Sequence, residues 1–250
     1  MKIVAITACL NEDDIIEAWL RHMLAEEVDH IYIEDGGSID DTRIIIESLA
    51  LGTKQITLLD HSSKIFYQAR RMTLLSDLAG SEGADWIIPA DVDEFYYATN
   101  GDTVGSRLRD VELGVNKLYC KSYQHLDWDT RQVEPKRLPK VIYRYFPGAS
   151  LTIGNHEVNL DGGVRDIIDL REIQYRGYEH FKSKIVSRLA TLDPVAKSQG
   201  AAWHYQVLEG KNEQEMALAW ADMTAIPTIH DPIPTHLALA SSYLSTVTPI

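Results

Sequence analysis

In the first ninety residues, short apolar runs alternate with stretches in which apolar residues recur every three or four positions. The apolar runs are rich in β-branched and aromatic residues, as expected of strands buried on both faces, and read KIVAITAC, HIYIED, QITLLD and DWIIPAD. The stretches after Asn11, from Thr42 and from Phe66 have helical spacing. This alternation predicts an α/β fold with a Rossmann-like, mostly parallel sheet flanked by helices.

Polar residues precede the first two predicted helices. Asn11 stands before three acids and is suited to be an N-cap, because an acidic first turn complements the helix dipole. Ser38, with Asp41 three residues later, resembles a capping box. These residues are therefore expected to cap the two helices.

The pattern changes after Phe95. NKLYCKSYQHL and KVIYRYF predict longer, partly antiparallel strands, whereas YEHFKSKIVSRLATL and EQEMALAWADM predict two helices. Residues 226–250 hold four of the nine prolines, which is typical of a segment that wraps around a domain or is loosely held. We predict a single domain over residues 1–225, including a smaller mixed C-terminal part, and a tail over residues 226–250.

Composition limits the classes of function. The chain has 250 residues and a formal net charge of −13, which argues against nucleic acid as a partner. The N-terminal run is too short for a signal peptide, and no apolar run approaches the roughly 18 residues needed to span a bilayer. We expect a soluble, cytoplasmic protein and leave peripheral membrane association open. Cys9 and Cys120 lie in apolar runs without metal-ligand spacing, which predicts buried free thiols.

Acidic loops follow three of the predicted strands, with the sequences LNEDD, EDGGSIDD and DVDEF. The carboxyl ends of parallel strands meet at one edge of a sheet, where ligands bind. Carboxylates beside a buried strand are costly unless they are paired or bound to a cation. Asp91 and Asp93 form a D-x-D arrangement of oxygen donors, which Mg²⁺ and Mn²⁺ prefer. A divalent cation is the prediction; a solvated acidic loop is the alternative.

The segments TACLNEDDIIEAWLRHML, YIEDGGSIDDT and ADWIIPADVDEF resemble, in order, the signatures of nucleotide-sugar-dependent glycosyltransferases of the GT-A fold, nearest to the family-two-like bacterial enzymes. KVIYRYF, GNHEV and YRGYEHFKSKI resemble the later motifs, so the resemblance covers residues 1–190. It implies transfer of a sugar, with inversion, from a nucleotide-diphosphate-sugar, first of all a UDP-sugar. The acceptor would be a glycan, a lipid-linked glycan or a protein.

The resemblance also implies roles for parts of the chain and for single residues. The nucleotide-binding half would be residues 1–98 and the acceptor half residues 99–225. Asp91 and Asp93 would bind Mn²⁺ or Mg²⁺. The expected nucleotide contacts are Ala8, Leu10, Asn11, Glu12, Asp35, Gln68, Arg71, Asp91, Val92 and Arg176. The catalytic base is expected among His156, Glu157, Glu179 and, as the outside candidate, Glu172.

Several positions depart from the family pattern. Gly36 stands where Asn or Asp is common, Gly177 where Ser is usual, and Glu172 where relatives often have His. The last difference leaves the third metal ligand open, although Glu can replace His as a ligand. Lys184 is expected to be structural or solvated. Substitution of Asp93 is expected to leave the fold intact, because removal of one carboxylate from an acidic cluster relieves repulsion.

Two other functions remain open. A phosphatase of the haloacid dehalogenase type also places D-x-D at a strand end, where the first Asp is the nucleophile, but Phe95 fills the position of its usual Thr. A non-catalytic nucleotide-sugar-binding module would share the donor site. A sugar nucleotidyltransferase is disfavoured because ITACLNEDD lacks the Gly-rich phosphate-binding loop.

Overall fold

The computed structural model describes residues 1–60, 67–192, 194–198, 200 and 202–233. The strands in this part of the chain are β1 (Ile3–Cys9), β2 (His30–Asp35), β3 (Ile56–Asp60), β4 (Trp86–Pro89), β5 (Glu94–Ala98), β6 (Lys117–Cys120), β7 (Ser122–Gln124), β8 (Thr130–Gln132), β9 (Lys140–Arg144), β10 (Val164–Arg165), β11 (Ile168–Glu172) and β12 (Thr228–His230). The helices are α1 (Ile16–Ala25), α2 (Thr42–Gly52), α3 (Gln68–Ser81), α4 (Val104–Arg109), α5 (Tyr178–Thr191), α6 (Pro194–Ser198), α7 (Trp203–Gln206) and α8 (Glu213–Thr224), with a short 3-10 helix at Ile153–Asn155.

A central sheet of seven strands organises the molecule, in the order β10-β6-β9-β4-β1-β2-β3. Strands β4, β1, β2 and β3 are parallel neighbours, and β6 and β10 are also parallel. Strand β9 runs antiparallel between β4 and β6. The predicted α/β class with a mostly parallel sheet flanked by helices is confirmed.

Strand β1 is buried on both faces because helices cover the sheet from two sides. Ile3 and Ala5 belong to one apolar cluster, which includes Trp19 of α1. Val4 and Ile6 belong to the other, which includes Met72 of α3. The β-branched run in the sequence thus forms a strand enclosed on both sides, and this packing makes the sheet a rigid support for the loops at its carboxyl edge.

The two predicted helix caps are wrong. Helix α1 begins at Ile16, and Asn11 has φ of 53° with its side chain accepting a hydrogen bond from the backbone N–H of Ile39. Ser38 donates to Asp35, and α2 begins only at Thr42. The loops after β1 and β2 lie side by side and hydrogen-bond to each other. The side chains of Asn11 and Ser38 therefore form hydrogen bonds within and between these loops instead of capping the helices.

The predicted strand over residues 116–126 is divided between two sheets. Strand β6 joins the central sheet, whereas β7 pairs with β11 in a second sheet of order β5-β11-β7. At the crossing the backbone N–H of Lys121 donates to Asp169. Strand β5 starts inside the DVDEF segment and runs antiparallel to β11, which sets Glu94 opposite Glu172. The second sheet therefore brings β11 to the acidic loop after β4.

Residues 226–233 wrap back onto the domain. Strand β12 pairs antiparallel with β8, and Ile233 is buried in the larger apolar cluster. Asp231 forms ion pairs with Arg131 at 2.7 Å and Arg171 at 2.9 Å. This part of the predicted tail is a wrapping segment; residues 234–250 lie outside the described residues.

Two expectations from composition can also be checked. Cys9 and Cys120 are buried free thiols, as predicted. Among the described residues, no helix combines the length and the apolar character needed to cross a membrane.

Candidate active site

A cavity of about 710 Å³ lies at the carboxyl ends of β1 and β4, with α5 and the loop before β9 on its other sides. This is the edge at which ligands bind in open α/β sheets. Of the residues predicted from the sequence, the cavity is lined by Ala8, Leu10, Glu12, Gln68, Asp91, Val92, Asp93, His156 and Glu172.

Asp91 is held by an amide and an ammonium group. The amide of Gln68 donates to Oδ1 at 2.7 Å, and Nζ of Lys140 lies 3.3 Å from Oδ2. The same ammonium lies 2.5 Å from Oε1 of Glu94, whose side chain is fully buried. Burial opposes the charge of Lys140, but Glu94 and Asp91 outweigh it and raise the pKa of the ammonium group. The positive partner of this acidic stretch is therefore a lysine of β9.

Asp93 has a second lysine as its partner. Nζ of Lys184 lies 2.7 Å from Oδ2 of Asp93 and 3.5 Å from Oε1 of Glu12. Burial alone would raise the pKa of Asp93, but Lys184 lowers it to about 2. On its other oxygen, Glu12 pairs with Arg176 at 2.7 Å. Asp93 is thus ionised, and both Asp93 and Glu12 have cations beside them.

Glu172, at the end of β11, is buried in the same cavity. Lys136 contacts its Oε1 at 2.7 Å, and the hydroxyl of Ser122 donates to its Oε2 at 2.6 Å. Burial would raise the pKa of Glu172, but Lys136 and then Lys140 lower it below the usual value. The carboxylate is therefore ionised at neutral pH and is held in one orientation.

His156 presents a ring nitrogen that can accept a proton. Its Nδ1 lies 2.8 Å from the carbonyl oxygen of Pro139 and must donate to it, which assigns the lone pair to Nε2. Burial, and then the charge of Lys140, lower the pKa of His156, so the ring is neutral at pH 7. Gly154 has φ of 78°, and a Cβ there would lie 2.6 Å from Nε2. Only glycine fits this close approach.

The acidic stretch can accommodate a divalent cation. One oxygen each of Asp91, Asp93 and Glu94 lie within 4.8 Å of one another. Glu94 is enclosed with Lys140, so Asp91 and Asp93 are the members that face the cavity. Carboxylate oxygens are the donors that Mg²⁺ and Mn²⁺ prefer, and such ions often use only one or two carboxylates together with substrate phosphates. The residues present fit such an ion.

A second group of potential ligands, Glu12, Asp14 and His180, is already neutralised. Arg176 forms ion pairs with both acids and donates its backbone N–H to Nδ1 of His180. Burial, followed by the charges of Arg176 and Lys184, lowers the pKa of His180 to about 4. Neither Asp14 nor His180 lines the cavity, so we assign no cation to this group.

Four predicted nucleotide contacts do not line the cavity. Asn11 lines a smaller neighbouring cleft of about 180 Å³. Asp35 is buried at the end of β2, where Ser38 donates to it at 2.6 Å. Arg71 is buried with its guanidinium 3.6 Å from Glu34. Arg176 faces Glu12, as described above. The nucleotide roles of these four residues stay predictions.

Two of the four predicted base candidates, Glu157 and Glu179, do not line the cavity. Glu157 accepts hydrogen bonds from Lys117 and Tyr119, both at 2.6 Å, and these bonds lower its pKa despite partial burial. Glu179 is 82% exposed and pairs with Lys182 at 3.1 Å. His156 and Glu172 are the two candidates that the structure brings to the cavity.

Several residues that line the cavity were not predicted as site residues. They include Lys136, Lys140, Gln174, Tyr175, Lys184 and Trp203. Lys184 is 11% exposed, so the alternative that it is solvated is wrong. A signal for two of them was present, because Lys140 begins the KVIYRYF run and Lys184 lies in YRGYEHFKSKI.

No protein-family model matches this chain, and a search of curated protein sequences gives no match either. Solved structures with a similar fold include a mannosyltransferase from Pyrobaculum calidifontis in complex with GDP-Man and Mn²⁺, at 14% identity and a TM-score of 0.48, covering 98% of this chain and 80% of that one. S. aureus TarS has 15% identity and a TM-score of 0.48, covering 89% and 78%. A glucosyl-3-phosphoglycerate synthase from Mycobacterium tuberculosis, in complex with Mn²⁺, UDP and glucosyl-3-phosphoglycerate, has 20% identity and a TM-score of 0.33, covering 50% and 44%.

Proposed function

We propose that this chain is a metal-dependent glycosyltransferase of the GT-A type, which transfers a sugar from a nucleoside-diphosphate-sugar to a hydroxyl group of an acceptor. One observation carries the proposal: Asp91 and Asp93 follow a fully buried strand and face a cavity of about 710 Å³ at the carboxyl edge of a mostly parallel sheet. The ordered series of motifs over residues 1–190 supports the same function.

The donor is proposed to lie across the carboxyl ends of β1 and β4. Ala8, Leu10 and Glu12 line the cavity at the end of β1. Asp35 is opposite Cys9 in the pairing of β1 with β2, which would set the nucleoside at this side. The cavity volume falls within the range of small-molecule sites, which is about 300–1,000 Å³. By resemblance, uridine is the first choice of base, followed by deoxythymidine and guanosine.

Asp93 would hold Mn²⁺ or Mg²⁺ directly, and Asp91 would contact the ribose or the ion through water. When bound, the cation supplies Lewis-acid stabilisation of the leaving diphosphate. The side chains supply orientation: Gln68 links Asp91 to the backbone N–H of Gly154 and so joins the acidic loop to the 3-10 helix. Glu172 is the proposed third oxygen donor in the position where relatives often have His.

His156 is the proposed general base for transfer with inversion. A base must accept the proton of the acceptor hydroxyl, and Nε2 of His156 carries the lone pair. By contrast, both oxygens of Glu172 already accept hydrogen bonds, from Lys136 and Ser122. We therefore place His156 before Glu172 and withdraw Glu157 and the exposed Glu179, neither of which lines the cavity.

Titration calorimetry with UDP, dTDP and GDP, each with and without Mn²⁺, tests the donor site. Binding of at least one nucleotide that strengthens with Mn²⁺ is expected. A parallel incubation with the matching nucleotide-sugars and with a sugar phosphate separates the three functions. A glycosyltransferase transfers sugar from a nucleotide-sugar and releases nucleoside diphosphate, a phosphatase releases inorganic phosphate from the sugar phosphate, and a binding module does neither. Lack of binding by all three nucleotides would refute the proposal.

A further inference from the structure

Lys184 and a divalent cation cannot both be close neighbours of Asp93 without repulsion. The ammonium group lies 2.7 Å from Oδ2 of Asp93, 3.2 Å from the carbonyl oxygen of Gln174 and 3.5 Å from Glu12. Mg²⁺ binds carboxylate oxygen at about 2.0–2.1 Å. An ion on Oδ2 of Asp93 would therefore lie within about 5 Å of Nζ, where like charges repel strongly in a half-enclosed site.

We propose that Lys184 is the resident counter-ion of Asp93 in the metal-free protein, and that a divalent cation must displace it in order to bind. The inference rests on the proposed function, because that function requires the metal site. Lys184 is suited to leave since its flexible stem projects from α5, outside the central sheet, and both Lys184 and Asp93 line the cavity. Lys140, the other lysine of the site, lies within a strand of the sheet.

Displacement has a consequence for the order of binding. Loss of the Lys184 contacts opposes metal binding as long as no new partner for the ammonium is present. The diphosphate of a donor would be such a partner, because it enters the same cavity and is anionic. The cation and the nucleotide should then strengthen each other's binding, and by thermodynamic linkage the effect must be reciprocal.

Electron paramagnetic resonance of free Mn²⁺ gives the affinity of the protein for the ion alone. Lys184→Met removes the charge and keeps the length of the side chain, and Lys182→Met on the same helix is the matched control. We expect Lys184→Met to bind Mn²⁺ at least about 10-fold more tightly than the wild type, since the competing ammonium is gone. Lys182→Met should bind as the wild type does. Equal or weaker binding by Lys184→Met would overturn the inference.

A measurement on the wild-type protein covers the case in which Lys184→Met does not fold. Reductive methylation followed by mass spectrometry reports how accessible each lysine is. Labelling of Lys184 should rise several-fold when Mn²⁺ is added, whereas labelling of the exposed Lys211 should not change. Unchanged labelling of Lys184 at a Mn²⁺ concentration that saturates the site refutes displacement, as does a complete lack of Mn²⁺ binding. The proposed function is judged separately, by nucleotide binding.

Discussion

Two lysines neutralise the acidic stretch after β4, and they do so from different parts of the fold. Lys140 is part of β9, pairs with Cys120 of β6 in the central sheet, and faces Glu94, which is fully buried. Lys184 comes from α5 and faces Asp93, which lines the cavity. Both ammonium groups have raised pKa values, because the neighbouring carboxylates outweigh the effect of burial.

The difference shows how one short acidic segment can serve both the fold and a site. Glu94 has no access to water, and burial raises the pKa of its carboxyl group well above the usual value. Lys140 is the cation that opposes this rise, so the charge of Glu94 depends on Lys140 as long as the chain is folded. Asp93 faces a cavity into which water or an ion can enter, so its charge can be compensated in other ways. Lys140 is thus a fixed part of the fold, and Lys184 is a partner that can be replaced.

The largest effect is expected on removal of the fixed lysine. Lys140→Met leaves Glu94 and Asp91 without their shared cation, and loss of one partner of a buried pair typically costs about 3–5 kcal/mol. The free energy of unfolding, measured with urea, should fall by that amount. The variant Lys140→Met with Glu94→Gln should recover part of the loss, because the amide is neutral.

Lys211→Met is the matched control for this experiment, because Lys211 is exposed. Its free energy of unfolding should equal that of the wild type. If Lys140→Met were as stable as the wild type, Glu94 would be protonated in the folded protein, and the distinction between the two lysines would fail.

The sequence predicted the sheet far better than it predicted the pairing of charges. The run before Asp91 is apolar at every position, and this alone is enough to indicate a buried strand that ends in carboxylates. The partners Lys140 and Lys184 are distant in the sequence and meet Asp91 and Asp93 only through sheet order and helix packing. The sequence indicated that a cation should lie at this edge. It could not indicate that two lysines of the chain itself would lie there, because local pattern carries no information on such distant contacts.

Local rules also failed where two loops meet. Asn11 and Ser38 have the right side chains for helix caps, but the loop after β1 pairs with the loop after β2, and the two residues hydrogen-bond across that contact. Likewise, periodicity could not show that the segment around Lys121 passes from one sheet to another, since β6 and β7 are separated by a single residue. Both failures come from tertiary contacts that override local preference.

The effect of Lys140 extends to the cavity through His156, whose pKa is lowered by burial first and by Lys140 second. If His156 is the base, His156→Gln should reduce kcat by about 100-fold or more while nucleotide binding persists. The wild-type rate should be full at neutral pH and should fall only in acid, below the ordinary His value of 6.5. The pH dependence of kcat/KM checks this. An acidic limb that persists in His156→Gln would transfer the role to another group, with Glu172 first.

Substitution of Asp93 tests its pairing with Lys184, because the free energy of unfolding should change when the pair is lost. Relief of repulsion is the wrong expectation for its substitution, because Lys184 lowers the pKa of Asp93 to about 2, against a reference of 3.8. A depressed pKa stabilises the fold above the unfolded value, so Asp93→Asn should lose about 2 kcal/mol at pH 7. The difference from the wild type should shrink as the pH falls from about 4 to about 2. Urea unfolding at pH 7 and at pH 3 measures the difference in the free energy of unfolding at the two pH values. An Asp93→Asn protein as stable as the wild type at pH 7 would contradict the pairing of Asp93 with Lys184.

The smallest effect is expected two residues before Lys184, on the same helix. Lys182 also has acidic partners, Glu213 at 3.0 Å and Glu179 at 3.1 Å, but these carboxylates are exposed and water can solvate them. Lys182→Met should therefore leave the midpoint of urea unfolding unchanged within error, and any small change should vanish in about 0.5 M NaCl, where screening acts over only a few ångströms. Lys182 and Lys184 lie on the same helix and differ in whether the carboxylate partner is exposed or buried. A loss for Lys182→Met as large as that for Lys140→Met would show that burial of the carboxylate is not what separates these lysines.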